Sequence, residues 1–189
     1  MVFSIISRLV NGVKGGVTAG LKGVGDVGST VVNVIKNVTV NTLKETSEFI
    51  TAGIQVPASI VKGAISGVAD IGASVIKAIK GIVSGTVQGV MESGGKQDEA
   101  VKGAVGQAVY SAKELGLNVG DAAVEAVKGS IEAVKQVGGD AVGATKEAVL
   151  AALDAAKDIG GETVDTVRDA LEEGVEGAKK IIEATKKEE

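Results

Sequence analysis

The sequence predicts an all-α protein built on one very long amphipathic helix that assembles into a coiled coil. Three observations lead to this prediction. The 189 residues can be cut into consecutive eleven-residue rows from Met1 to Lys187 without a change of phase. The charged residues concentrate on one side of these rows. The composition is rich in Gly, Val and Ala but has only two Phe, one Tyr and no Trp, whereas aromatic residues supply much of the buried area of ordinary globular cores.

The eleven-residue period indicates a helix because eleven residues complete three helical turns at about 3.67 residues per turn. Row positions 1, 2, 5, 6, 9 and 10 then share one side of the helix. The seventeen rows contain 42 charged residues, and 39 of them occupy the five positions on the opposite side. Such segregation is typical of a long amphipathic helix. A strict eleven-residue repeat predicts a straight or slightly right-handed supercoil.

Composition divides the chain into three segments. Residues 1–91 form an apolar hendecad segment that is rich in Gly and Val, with eight basic and five acidic residues over 1–95. Residues 100–187 form a charged, Ala-rich hendecad segment that is expected to be the coiled coil. Between them, residues 92–99 are expected to be a hinge or a weakened stretch of helix.

The hinge prediction rests on polar and glycine residues that interrupt the apolar side. Ser93 occupies an apolar row position, and the adjacent Gly94 and Gly95 weaken a helix. The eleven-residue rows continue through this stretch without a change of phase, which favours a weakened continuous helix. An αα-hairpin stays open as the alternative. A kink is also expected near Pro57, because proline removes a helix hydrogen bond and clashes one turn back.

A second regularity predicts positions of helix packing. Row position 6 alternates between glycine and a larger apolar residue, so that the glycines recur at multiples of two rows. Large beside small residues, exchanged from row to row, would interdigitate with a partner helix. The predicted packing positions are Gly72, Gly94, Gly116, Gly138 and Gly160, together with Val105, Val127 and Val149. The four-residue spacing of Gly81, Gly85 and Gly89 likewise predicts a close approach of two helices.

Composition also restricts the function. The chain has no His and no Cys, and its carboxylates follow the amphipathic pattern, so neither an enzyme nor a metal or cofactor site is expected. No basic stripe with aromatic residues points to nucleic acid. The longest uncharged stretch, 49–61, has thirteen residues, which is short of a membrane span. No convincing signal peptide is present, so membrane-associated and cytoplasmic locations both stay open.

The rows resemble several families of eleven-residue repeats. Residues 155–180, AAKDIGGETVDTVRDALEEGVEGAKK, resemble the repeats of group 3 late embryogenesis abundant proteins. Residues 12–22, GVKGGVTAGLK, resemble synuclein and perilipin repeats. The pattern as a whole is also similar to bacterial hendecad coiled coils. The first three resemblances imply a helix that forms on contact with lipid or on drying.

Two functional hypotheses follow. The first is a non-enzymatic structural protein that self-assembles into a helical oligomer, with 1–91 associated with a membrane. More than two strands are expected, because the apolar side takes six of eleven row positions and exceeds the narrow stripe of a two-stranded coil. The alternative is a peripheral helix that binds lipid or a membrane surface, or protects under stress, and folds on contact with lipid.

Overall fold

The computed structural model describes residues 2–25, 27–44 and 53–187. Over these residues the chain forms nine helices and no strand, which confirms the all-α class. The helices are α1 (Val2–Leu21), α2 (Val27–Lys44), α3 (Gln55–Asp70), α4 (Val75–Glu92), α5 (Gln97–Glu114), α6 (Val119–Gln136), α7 (Ala141–Ile159), α8 (Thr163–Gly174) and α9 (Ala178–Lys186).

The prediction of a single very long helix is wrong, and the reason lies in the arithmetic of the repeat. Helices α4, α5 and α6 each contain 18 residues. A turn of four residues separates each of them from the next helix. A helix and its turn therefore occupy two full rows of the repeat. The eleven-residue rows therefore continue through the turns without a change of phase. For this reason the repeat cannot distinguish a continuous helix from a series of helical hairpins.

The glycines that recur at multiples of two rows end the helices. At Gly94 the backbone is left-handed, with φ +89°, a conformation that glycine adopts without strain. The Gly95 N–H donates to the Val90 carbonyl at 2.9 Å, and the Gly94 N–H donates to the Met91 carbonyl at 3.1 Å. This pair of bonds is the Schellman motif that closes many helices. The same pair recurs at Gly72, Gly116 and Gly138.

The residue two positions after the glycine begins the next helix. Ser74, Asn118 and Asp140 each precede a helix and accept a backbone N–H with the side chain. Asp140 accepts two, from Val142 at 3.1 Å and Gly143 at 3.0 Å. Side-chain acceptors at this position satisfy N–H groups that have no partner inside the helix. Glycine followed two residues later by a capping residue is thus the local cause of the α3–α4, α5–α6 and α6–α7 hairpins.

The helices stack in two layers. Consecutive helices other than α2 and α3 pack against each other across the layers, and alternate helices contact each other within a layer. One layer holds α1, α3, α5 and α7, the other holds α2, α4, α6 and α8, and α9 contacts α7 and α8. The apolar core lies between and within the layers and consists largely of Val, Ala and Ile. Helix α4 is central and contacts α2, α3, α5 and α6, so nearly all of its second half is buried.

The expected kink and hinge take other forms. Pro57 is the third residue of α3, where a missing N–H does no harm because the first turn has no carbonyl to receive it. The proline therefore lies at a helix start and kinks no helix. Residues 93–96, with Ser93, Gly94 and Gly95, form the α4–α5 turn, so the hairpin alternative holds there. The Ser93 hydroxyl donates to the Gly89 carbonyl at 2.7 Å and contributes to the end of α4.

Replacing Gly138 by Ala is expected to lower the free energy of unfolding by about 1–2 kcal/mol, because an L-residue is strained in the left-handed region. No atom lies within 4 Å of an added Cβ at Gly138, so crowding plays no part. Gly106→Ala is the matched control. An added methyl at Gly106 is equally uncrowded, but the residue lies within α5 and should gain up to about 1 kcal/mol. Urea unfolding measures both, and shifts of the same sign would contradict this account of the turns.

Candidate functional site

Alternate helices in a layer approach so closely that only glycine fits at the contact. A methyl group on Gly85 of α4 would lie 2.6 Å from the Val32 carbonyl oxygen and 2.8 Å from the Ile35 Cβ, both in α2. A methyl on Gly63 of α3 would lie 2.5 Å from the Val10 carbonyl oxygen of α1. The glycines in such contacts between alternate helices from α1 to α6, here called the close-contact glycines, are Gly63, Gly67, Gly81, Gly85, Gly89, Gly103 and Gly129. The expected close approach at Gly81, Gly85 and Gly89 is thus between α4 and α2.

The positions singled out as helix-packing residues divide into two groups. Val105, Val127 and Val149 are fully buried in the core. The five glycines paired with them lie at helix ends with positive φ, and no atom lies within 4 Å of a Cβ added to them. These are Gly72, Gly94, Gly116, Gly138 and Gly160. Their place in the fold is to end helices, and the packing glycines occupy other row positions.

Gln97 links two turns that lie 43 residues apart in the chain. Its side-chain amide donates to the Asp140 carbonyl at 2.9 Å and accepts the Asp140 N–H at 2.9 Å. A methyl on Gly139 would lie 2.7 Å from the Gln97 Oε1. The amide thus joins the α4–α5 turn to the α6–α7 turn. Gln97 is a polar residue at position 9 of its row, on the apolar side, and the structure supplies its partner.

Tyr110 links α5 to α7 at the surface. Its hydroxyl donates to Asp158 Oδ2 at 2.5 Å. Burial of the ring, the hydrogen bond and the negative charge of Asp158 together raise the pKa of Tyr110 to about 12. Like the Gln97 link, the Tyr110–Asp158 hydrogen bond joins α5 and α7 through polar side chains.

Three ion pairs also join alternate helices. Lys14 pairs with Asp70, Lys36 with Glu92 and Lys80 with Glu132, each at 2.8 Å. The hydrogen bond to Glu132 is the main cause of a raised pKa at Lys80. Exposed pairs of this kind contribute at most about 1 kcal/mol each. They fix the register of neighbouring helices more than they stabilise the stack.

The first hairpin leaves one face of the stack uncovered. On α4, Gly81, Gly85 and Gly89 contact α2. The equivalent positions of α2 itself, counted from the first residue of each helix, are exposed asparagines that point away from α4. This surface, here called the outer face, comprises Gly12, Gly15 and Ala19 of α1 with Asn33, Asn37 and Asn41 of α2, all exposed. It is uncharged at its centre, with the exposed Arg8, Lys22 and Lys44 at its ends.

Other kinds of site are not found in the described part of the chain. In residues 2–25, 27–44 and 53–187 no group of three His, Cys, Asp or Glu side chains is arranged to hold a metal ion. No described helix is long and apolar enough to cross a membrane. No protein-family model matches the chain, and no curated protein matches it significantly.

Replacing Gly85 by Ala is expected to lower the free energy of unfolding by about 1–3 kcal/mol, because the methyl would overpack the contact with α2. The control is Gly106→Ala, also within a helix but with no atom within 4 Å of the added methyl. It should stabilise by up to about 1 kcal/mol through helix propensity. Chemical unfolding of both variants gives the comparison, and a Gly85→Ala protein as stable as the control would show that the helices do not need this contact.

Titration of Tyr110 should have a midpoint near pH 12, against about 10 for an unperturbed tyrosine. The folded pKa exceeds the unfolded one, so this group stabilises the fold fully below about pH 10 and loses that effect as the pH rises toward 12. It is the only tyrosine, and there is no tryptophan, so tyrosinate absorbance reports on it alone. Asp158→Ala should lower the midpoint part of the way, since burial also contributes, and Asp154→Ala should lower it less. A wild-type midpoint near 10 would rule out the contact in solution.

Proposed function

We propose that the chain is a non-enzymatic structural protein, a stack of helical hairpins that associates with a second copy of itself through the outer face. One observation supports this proposal above the others. On α2 the outer face has exposed, uncharged asparagines at the positions where α4 carries close-contact glycines, and on α1 it has the exposed small residues Gly12, Gly15 and Ala19. A surface of that kind suits close packing against another pair of helices.

The ends of a helical stack normally carry charged or polar residues that keep the last repeat in water. At the far end, Asp165, Arg168 and Glu172 lie on the side of α8 opposite Ala170 and Gly174, which face α6. Arg168 and Asp165 form an ion pair at 2.8 Å. The centre of the outer face has no such charges, so the two ends of the stack differ.

Charge selects the partner of the outer face. Stacking the outer face on α8 of another copy would bury the Asp165, Arg168 and Glu172 cluster, and desolvating charges costs several kcal/mol per ion. Pairing two outer faces buries no charge at the centre, and asparagine side chains can both donate and accept across it. Arg8, Lys22 and Lys44 would approach their equivalents only at the solvated rim, where repulsion is at most about 1 kcal/mol per pair. A symmetric pair of copies is therefore favoured.

This fold does not favour the other expectations, which were assembly of more than two strands and contact of 1–91 with lipid. The wide apolar side of the first two helices is buried within the chain, with Val13 and Val17 of α1 and Val31 and Ile35 of α2 fully covered. That side had suggested more than two strands and a membrane-facing N-terminal half. Contact with lipid through it would require the first hairpin to leave the stack.

Gly15→Glu is expected to abolish self-association, because it places a charge at the centre of the outer face where no atom crowds the side chain. Gly106→Glu is the matched control: the same change at an uncrowded helical position on α5, which should leave the mass in solution unchanged. Light scattering coupled to size-exclusion chromatography, over a range of protein concentration, gives the mass of each.

Two further results separate the symmetric pair from other arrangements. Glu172→Lys at the far end should leave association intact, and added salt should strengthen it by screening the basic rim. Association lost on Glu172→Lys would indicate stacking of one copy's outer face on the far end of another. A wild-type protein that stays monomeric at all concentrations would overturn the proposal.

A further inference from the structure

The last helix of one layer is shorter than its neighbours, which leaves part of α6 uncovered. Helix α8 has 12 residues, whereas α4 and α6 have 18, a difference of about 9 Å in length. Its last residue, Gly174, lies against Val124 of α6, with an added methyl 2.8 Å from the valine side chain. The chain then turns at Gly177, with φ +83°, into α9. Helix α8 therefore ends opposite the first half of α6, and the second half of α6 extends past it.

A groove of about 850 Å³ lies in this space, within the range of small-molecule sites. Its apolar lining comes from Ile131 of α6, Val142 of α7, Val175 in the turn after α8, and Ile181 of α9. Val142 is 83% exposed, the largest exposure among the exposed large apolar residues of the described chain. Such a side chain at the edge of a groove gains free energy when an apolar ligand covers it.

The groove is bordered by more positive than negative charge. Its charged lining residues are Lys80, Lys128, Lys135 and Lys180 against Glu132 and Glu176. Lys80 and Glu132 pair with each other at 2.8 Å. No carboxylate in the described residues lies within ion-pair distance of Lys128, Lys135 or Lys180. Lys128, Lys135 and Lys180 come from a half of the chain, 96–189, that carries 12 basic and 19 acidic residues.

The lysines, and not a helix end, supply the attraction for an anion. The N-terminus of α7 lines the groove through Ala141 and Val142. Its Val142 and Gly143 N–H groups already donate to Asp140, whose own charge opposes an anion there. The ammonium groups of Lys128 and Lys135, both on α6, have no carboxylate partner in the described part of the chain and can attract an anion.

From the apolar floor and the unpaired lysines together, we infer that the groove binds a single-chain anionic amphiphile. Its chain lies along Val142 and Ile181, and its carboxylate or phosphate head lies among Lys128, Lys135 and Lys180. An inorganic anion would leave the apolar lining exposed, and a neutral amphiphile would leave the lysines unpaired. The site is separate from the outer face of the first hairpin and does not depend on self-association.

The test uses the full chain and laurate below its micellar concentration, followed by calorimetry and by the methyl resonances of Val142 and Ile181. Laurate should bind saturably, one per chain, and shift both methyl signals. Lys128→Gln/Lys135→Gln should weaken binding by at least about tenfold, and Val142→Ser should weaken it as well without affecting the fold. Lys62→Gln/Lys113→Gln, which removes the same charge from exposed positions of α3 and α5, should bind as the wild type.

Dodecyl maltoside and acetate test the apolar chain and the anionic head of the ligand separately. Both should bind far more weakly than laurate, since one lacks the charge and the other the chain. Equal binding of dodecyl maltoside would reduce the site to an apolar patch, and equal binding of acetate would reduce it to an anion site; either result overturns the inference. It is also overturned if laurate does not saturate, or if the Lys62 and Lys113 control loses as much affinity as the groove variant.

Discussion

The close approach of alternate helices at glycine is the contact on which the rest of the structure depends. Backbone meets backbone at Gly63 and Gly85, and this distance sets how tightly each layer packs. Each such glycine costs its helix about 1 kcal/mol of propensity relative to Ala. Packing must offset that cost, because a core of Val and Ala with few aromatics gains burial only when helices lie close together. The ion pairs, the Tyr110 contact and the Gln97 link then fix the register of helices already in contact.

The helical class and the sides of the helices could be predicted from the sequence, but not the number of helices. Charge segregation identifies the solvent side whether the residues form one helix or several, since α4, α5 and α6 each take two full rows together with the turn that follows. The information that separates them is local. Gly72 and Ser74, Gly116 and Asn118, and Gly138 and Asp140 combine a left-handed helix end with a capping residue. The missing side chain of these glycines suggests close packing between helices. Their ability to adopt a left-handed backbone instead indicates a helix end and a turn.

The candidate surfaces were less predictable, because they depend on where the repeat fails. Counting two rows on from Gly160 would place a turn glycine where the chain has Ile182, which is buried. The turn comes earlier, through Gly174 and Gly177, and that shift opens the groove. The outer face likewise depends on which helices lack a neighbour. Neither follows from a period, since a period describes what the repeats share and says nothing of the positions where a neighbour is missing.

The interior and the two interrupted places therefore have different physical roles. Between α3 and α7 each close-contact glycine contacts a helix of the same chain. The helix surfaces around these glycines are therefore buried in the folded chain. At the first hairpin the uncharged centre of the outer face remains in water, without charges like those of Asp165, Arg168 and Glu172 at the far end. Beside α8 the layer is incomplete, and apolar and basic side chains border the gap. In a stack whose repeats contact only their neighbours, surface is left without a partner where a neighbour is absent, and both proposed binding surfaces lie at such places.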